Sequence, residues 1–67
     1  ISIQSNQHLA AHFKALFNRG FAYDKLGEFQ KAIADYTLAT EIEPQNAYTY
    51  YNKGISLDRK GDFEAAV

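Results

Sequence analysis

The chain has 67 residues, which is enough for one small domain at most. Its formal net charge of −1, with both signs interspersed, gives no basic face and argues against a nucleic-acid partner. It contains no cysteine, which excludes thiol chemistry. No apolar run approaches the ~20 residues that span a bilayer, so we expect no membrane segment, and no basic leader before an apolar core is visible.

The first predicted helix covers residues 8–26, where apolar side chains recur at steps of three and four. This spacing defines a core stripe: Phe13, Leu16, Gly20 and Tyr23. A helical glycine costs about 1 kcal/mol against alanine, so we expect a neighbouring backbone to approach closely at Gly20. Residues 1–7 are polar and aperiodic, and suggest a linker, a cloning remnant or the start of this helix, with Ser5 or Asn6 as its N-cap.

The second predicted helix begins at Glu28, after Gly27 ends the first as a left-handed C-cap, and runs to about Ile42. Its outer side carries Lys31 and Asp35, spaced for an i,i+4 ion pair. Its inner face is apolar: Phe29, Ala32, Ile33, Tyr36 and Ala39.

The third predicted helix covers residues 47–60, with Asn46 as its N-cap after Pro44. We expect Gly61 to end it and Asp62 to open a fourth helix that continues to Val67. The core stripe expected on the third helix is Ala47, Tyr50, Gly54 and Leu57.

The stretch from 18 to 67 contains one pattern twice, at a constant offset of 34 residues. The identical pairs are Asn18/Asn52, Gly20/Gly54, Asp24/Asp58, Gly27/Gly61, Phe29/Phe63 and Ala32/Ala66. A fixed period of this length is typical of a repeat array, in which each unit buries its apolar face on its neighbours.

The first copy resembles the tetratricopeptide repeat (TPR) signature at Leu16, Gly20, Tyr23, Gly27, Phe29, Ala32, Tyr36, Ala39 and Pro44. The second copy matches it at Tyr50, Gly54, Leu57, Gly61, Phe63 and Ala66. Arg19 and Lys53 depart from it, since an aliphatic residue is common at that position. We expect their stems to pack and their charges to reach water.

The resemblance implies an all-α fold, namely an α–α superhelix (TPR solenoid) of antiparallel helix pairs. Residues 1–12 would form an N-terminal segment or helix extension, 13–46 the first repeat, and 47–67 a truncated second repeat. Because such arrays usually need three or more repeats, we expect a piece of a longer array.

Two patterns resemble chemical sites without completing one. His8 and His12 lie four apart, as metal ligands on a helix do, but no third ligand is evident, and solvent-exposed histidines are the alternative. The carboxylate pairs Asp24/Glu28 and Asp58/Asp62 straddle the predicted helix breaks and have basic neighbours, so we expect ordinary solvated charges. The sequence therefore predicts no enzyme, no metal site and no cofactor.

A second stripe lies beside the core stripe on the first helix of each repeat. It consists of Lys14, Phe17, Asn18, Phe21 and Lys25 in the first copy, and of Tyr48, Tyr51, Asn52, Ile55 and Arg59 in the second. In TPR proteins this side lines the concave groove that receives a partner. Exposed aromatic residues suggest a binding surface, although burial by neighbouring repeats or a capping helix is the alternative.

Asn18 and Asn52 occupy equivalent positions in this second stripe. An amide offers a donor and an acceptor, so each can pair with one peptide unit of an extended ligand. The alternative is side chain-to-backbone bonding between adjacent repeats. The clamp with which some TPR proteins hold C-terminal carboxylates is not matched, because Phe17 and Phe21 replace its lysine and second asparagine.

The leading functional hypothesis is a protein–protein interaction module that binds a peptide or partner segment in the concave groove. The alternative is a structural or self-assembling scaffold whose groove is filled by neighbouring helices. We expect a protein partner, no nucleic acid, no membrane and an intracellular location, in the cytoplasm. We also expect self-association through the exposed truncated end.

Overall fold

The computed structural model describes the backbone of residues 2–65 and the side chains of residues 8–65. Three helices and no strand make up this part of the chain: α1 (Ser2–Lys25), α2 (Phe29–Ile42) and α3 (Ala47–Ala65). Helix α2 packs against both α1 and α3, whereas α1 and α3 meet over a small area. The molecule is thus a helical hairpin with a third helix stacked on it, which confirms the all-α prediction.

Helix α1 begins earlier than the sequence pattern indicated. It includes the backbone of residues 2–7, where no glycine or proline interrupts a helix. Ser5 and Asn6 therefore lie inside α1 rather than at its N-cap, and their side chains fall outside the described residues.

Gly27 ends α1 as predicted. It is the one positive-φ glycine of the described residues, at φ 82°. The amide of Glu28 donates to the Tyr23 carbonyl at 2.8 Å, and that of Gly27 to the Asp24 carbonyl at 3.1 Å. These two bonds form a Schellman motif, which satisfies carbonyls that the helix end would leave unpaired.

The core of the hairpin matches the predicted faces of α1 and α2. Leu16, Ala32, Tyr36 and Ala39 are buried. A Cβ built on Gly20 would lie 3.0 Å from Cε1 of the Tyr36 ring. The absence of a side chain at Gly20 therefore makes room for the Tyr36 ring rather than for a neighbouring backbone. A close approach at Gly20 is confirmed, but the prediction of a backbone neighbour is wrong, because the neighbour is the Tyr36 ring.

The ion pair predicted between Lys31 and Asp35 is wrong. Asp35 is buried and accepts two hydrogen bonds from Arg19, from Nε to Oδ2 at 2.7 Å and from Nη2 to Oδ1 at 2.9 Å. Lys31 instead lies over the Tyr23 ring, 5.6 Å from its centroid. Arg19 does keep its charge near water, as expected, but a buried carboxylate on α2 orients it.

The turn between α2 and α3 follows the predicted chemistry. Asn46 caps α3, since its Oδ1 accepts from the amides of Tyr48 at 3.0 Å and Thr49 at 3.3 Å. The Asn46 amide group also donates to Glu43 Oε1 at 3.2 Å, which holds the capping side chain in place.

The helix break predicted at Gly61 is wrong, because α3 continues to Ala65. Two contacts favour the continuous helix: Lys60 pairs with Glu64 at 3.0 Å across Gly61, and the Phe63 ring packs edge-on against Phe29 with ring centroids 6.2 Å apart. Asp58 and Asp62 consequently lie on one exposed stretch of helix rather than on either side of a break. Ala66 and Val67, which the fourth helix was to include, lie outside the described residues.

The core stripe predicted for α3 is also wrong. Thr49 and Ser56 are the buried side chains of this helix, whereas Tyr50 is 48% exposed and Leu57 50% exposed. Nothing lies within 4 Å of a Cβ built on Gly54, and Ala47 is exposed. The reason is that α1 and α2 cover only one side of α3. We call Tyr50, Gly54 and Leu57 the open α3 face.

Candidate functional site

A pocket of about 100 Å³ lies where α1 and α3 approach each other over α2. We call it the α1–α3 pocket. Its lining residues come from all three helices and include half of the predicted groove residues: Phe21, Lys25, Asn52, Ile55 and Arg59, together with Asp24 and Tyr36. The helical spacing of the second stripe accounts for this convergence, because it directs those side chains of α1 and α3 to the same side.

The remaining predicted groove residues lie outside this pocket. Lys14, Asn18 and Tyr51 are exposed. Phe17 and Tyr48 stack on each other, with ring centroids 5.5 Å apart and planes at 29°. Phe17 is half-buried because it also packs on Phe13 at 6.0 Å and on Tyr36 at 5.5 Å. These two aromatics therefore join α1 to α3 within the chain.

Asp24 is the polar centre that links α1 to α3. It is buried; its Oδ2 accepts from the Ser56 hydroxyl at 2.7 Å, and its Oδ1 accepts from Arg59 Nη1. The expectation of a solvated charge at Asp24 is therefore wrong, whereas its repeat equivalent Asp58 is exposed. The first repeat has an alanine, Ala22, where the second has Ser56, and that polar substitution was the available signal for a buried partner.

Tyr36 belongs to the core and also lines the pocket. The side chain is 1% exposed, and the hydrogen bonds of the described residues include none from its hydroxyl. Burial raises its pKa, and the negative charge of Asp24 raises it further. The hydroxyl therefore stays protonated at neutral pH and can donate a hydrogen bond into the pocket.

The pocket rim combines a polar amide with a cation. Asn52 donates from Nδ2 to the Tyr48 carbonyl of its own helix at 2.8 Å, which leaves its side-chain oxygen as the acceptor. Lys25 Nζ lies over the Phe21 ring, 5.2 Å from the centroid, and Phe21 itself is 47% exposed. Asn52 thus bonds to backbone within one helix rather than between repeats.

The other candidate sites remain open to solvent. His8 and His12 are both exposed. Across the described side chains, no group of three or more His, Cys, Asp or Glu residues is placed to hold a metal ion. Within residues 2–65, no helix is both long enough and apolar enough to span a bilayer.

A helical hairpin, a third helix stacked in the same manner, and a lined cleft between the first and third helices define a helical-repeat protein. A family model described as tetratricopeptide repeat matches residues 13–46, and a second with the same description matches residues 36–67. The chain belongs to the tetratricopeptide repeat family, whose members generally mediate protein–protein interactions and are typically non-catalytic. No curated protein and no solved structure gave a significant match.

Proposed function

We propose that this chain binds an extended segment of a partner protein in the cleft between α1 and α3. The observation that carries the proposal is the α1–α3 pocket, where predicted groove residues from two different helices converge. Phe21 and Ile55 supply apolar walls, and Asn52, Lys25 and Arg59 supply polar groups around them. A concave site with apolar walls and a few convergent polar groups is the usual form of a binding site.

Each residue has a role that follows from its surroundings. Phe21 is about half-exposed in the empty cleft, so a ligand that covers it removes apolar surface from water. The Asn52 side-chain oxygen accepts a hydrogen bond from a ligand amide, while one of its two N–H groups is engaged by the Tyr48 carbonyl and the other stays available. The exposed residues Lys14, Asn18 and Tyr51 extend the contact along the same side of α1 and α3.

A scaffold is the second candidate function. It is favoured by the Phe17–Tyr48 stack and by the Asp24–Arg59 ion pair, which use groove residues for contacts within the chain. In a scaffold these contacts set the angle between successive helices, and the cleft needs no ligand.

The test is a selection of random twelve-residue peptides displayed on phage, followed by affinity measurement of the enriched peptides by fluorescence anisotropy. Phe21→Ala should weaken binding of the selected peptides by about fivefold or more, since truncating an aromatic anchor that the ligand buries typically costs more than 1 kcal/mol of binding. Leu57→Ala is the matched control, because Leu57 has similar exposure but lies on the open α3 face.

Enriched peptides that respond to Phe21→Ala and ignore Leu57→Ala support the groove. Failure to enrich any peptide, combined with a lower unfolding midpoint for Asn52→Ala without a partner, would overturn the binding function in favour of the scaffold. Peptides that respond only to Leu57→Ala would move the site to the other side of α3.

A further inference from the structure

The α1–α3 pocket contains a hydrogen-bond donor that the protein itself does not use. Tyr36 lines the pocket, and none of the hydrogen bonds of the described residues begins from its hydroxyl. The ring is almost fully buried and fixed against Gly20. Thr49 Oγ1 is the one fully buried side-chain polar atom of the described residues without a partner, so the Tyr36 hydroxyl itself is accessible and can donate to an acceptor supplied from outside the chain.

The charges around the pocket determine which acceptor fits. Asp24 is the one carboxylate that lines it, and both of its oxygens already accept hydrogen bonds, from Ser56 and from Arg59. Lys25 and Arg59 are the two cations, so the three charges sum to one positive charge. Arg59 has one nitrogen on Asp24 and a side chain that is 54% exposed, which leaves other N–H groups for a ligand.

The size of the pocket limits the group that enters. A volume of about 100 Å³ exceeds the roughly 10–15 Å³ that one water molecule needs in a cavity, so the pocket admits a small polar group but not a large side chain such as an aromatic ring system. A carboxylate is a small polar group of this kind. Phe21 and Ile55 border the same space and suit the methylene groups that precede a side-chain carboxylate.

We propose that the α1–α3 pocket binds an aspartate or glutamate side chain of the partner segment. This inference rests on the proposed function and names the chemistry that the same site recognises. The carboxylate accepts from the Tyr36 hydroxyl and pairs with Lys25 and Arg59. A lysine or arginine side chain meets two like charges beside a carboxylate that is already paired with Arg59, and an apolar side chain displaces water from the Tyr36 hydroxyl without offering it an acceptor.

The test uses two small probes, N-acetyl-aspartate methylamide and its asparagine counterpart, which differ at neutral pH by one negative charge. Binding is followed by ¹H–¹⁵N chemical shifts of Lys25, Asn52 and Arg59. The aspartate probe should bind at least about tenfold more tightly, because hydrogen bonds to a charged group are worth more than neutral ones.

Two matched pairs of variants locate the interaction. Tyr36→Phe keeps the ring that fills the space at Gly20 and removes only the hydroxyl, and it should reduce the preference for aspartate by about tenfold. Tyr50→Phe removes a hydroxyl from the open α3 face and should leave the preference unchanged. Lys25→Gln should also reduce it, whereas Lys31→Gln, on α2, should not.

The outcomes separate this inference from the function on which it rests. Equal binding of the two probes, or a preference that survives Tyr36→Phe, overturns the acidic side chain as ligand. Enriched peptides that need Phe21 but carry no aspartate or glutamate at a fixed position overturn it as well, while the groove stands. Failure to enrich any peptide that depends on Phe21, combined with a lower unfolding midpoint for Asn52→Ala without a partner, overturns the groove itself.

Discussion

The two helical glycines that share one place in the repeat should respond to alanine in opposite ways. Alanine gains about 1 kcal/mol of helix propensity over glycine at either position. At Gly54 nothing lies within 4 Å of the added Cβ, so the full gain should appear as stability. At Gly20 the Cβ would lie 3.0, 3.1 and 3.3 Å from Cε1, Cδ1 and Cζ of Tyr36.

The Tyr36 ring cannot easily withdraw, because it is 1% exposed and packs on Phe17. Overpacking a core typically costs about 1–3 kcal/mol, which offsets or exceeds the propensity gain. We therefore expect Gly20→Ala to leave stability unchanged or to lower it by up to about 2 kcal/mol. The two variants should differ by about 1–3 kcal/mol, which is the overpacking term alone.

Urea unfolding followed by circular dichroism measures this difference directly, and thermal unfolding provides a second estimate. For a domain of this size, 1 kcal/mol corresponds to roughly 4–8 °C in Tm, so Gly54→Ala should melt visibly higher than the parent chain. Equal stabilisation by both substitutions would refute the close contact between Gly20 and Tyr36. Equal destabilisation would mean that a neighbour covers Gly54 in solution.

Three further predictions follow from the polar cluster, the buried tyrosine and the open α3 face. Asp24→Asn should lower the free energy of unfolding by about 1–2 kcal/mol, because it removes the charge that Ser56 and Arg59 contact. Asp58→Asn, at the exposed equivalent position of the repeat, should change the free energy of unfolding in urea by less than about 0.5 kcal/mol. Absorbance at 295 nm during an alkaline titration should show one tyrosine that ionises later than the rest and is absent from Tyr36→Phe. Because the raised pKa belongs to the folded state, Tyr36 should contribute stability that is present below the unfolded pKa near 10. This stability should be lost as the pH rises through the higher folded pKa, and Tyr36→Phe should lack the loss. Sedimentation should detect self-association of the chain through the exposed residues of the open α3 face. Leu57→Lys should weaken this association and Lys31→Gln should not, and a monomer at high concentration would contradict the prediction.

The sequence predicted the α1–α2 hairpin because both of its partners lie within one repeat. The apolar faces of the two helices, the Gly27 cap and the Asn46 cap each depend on neighbours only a few residues away or on the adjacent helix. Local chemistry of this kind is the same wherever the repeat occurs, so the family pattern transfers directly.

The same reasoning failed on α3 because its side chains depend on neighbours that the pattern assumes. Gly61 has a sequence context similar to that of Gly27, with Lys60 in place of Leu26, yet Lys60–Glu64 and Phe29–Phe63 contacts accompany a continuous helix there. Tyr50 and Leu57 were assigned to a core, but no described residue covers that side of α3. Periodicity identifies a face that can be buried, and only the packed neighbours decide whether it is.

The candidate site contains some residues that the sequence pattern identifies and others that depend on how the helices pack. The second stripe identified Phe21, Lys25, Asn52, Ile55 and Arg59 because helical spacing alone aligns them. It missed Asp24 and Tyr36, since a carboxylate beside a lysine is usually solvated and an aromatic in a core stripe is usually only a core residue. Both become part of the site because α3 sits across α1 and brings Ser56 and Arg59 to Asp24.

Asp24 therefore connects the stacking of the helices to the chemistry of the pocket. By accepting from Ser56 and Arg59 it fixes α3 on α1, and the ion pair with Arg59 offsets the charge of the one carboxylate in the lining. The lining then has a neutral tyrosine donor and one net positive charge from Lys25 and Arg59 against Asp24. A ligand carboxylate would supply an acceptor for the tyrosine and a charge for the cations, so the residue that joins α3 to α1 also influences what the cleft between them can select.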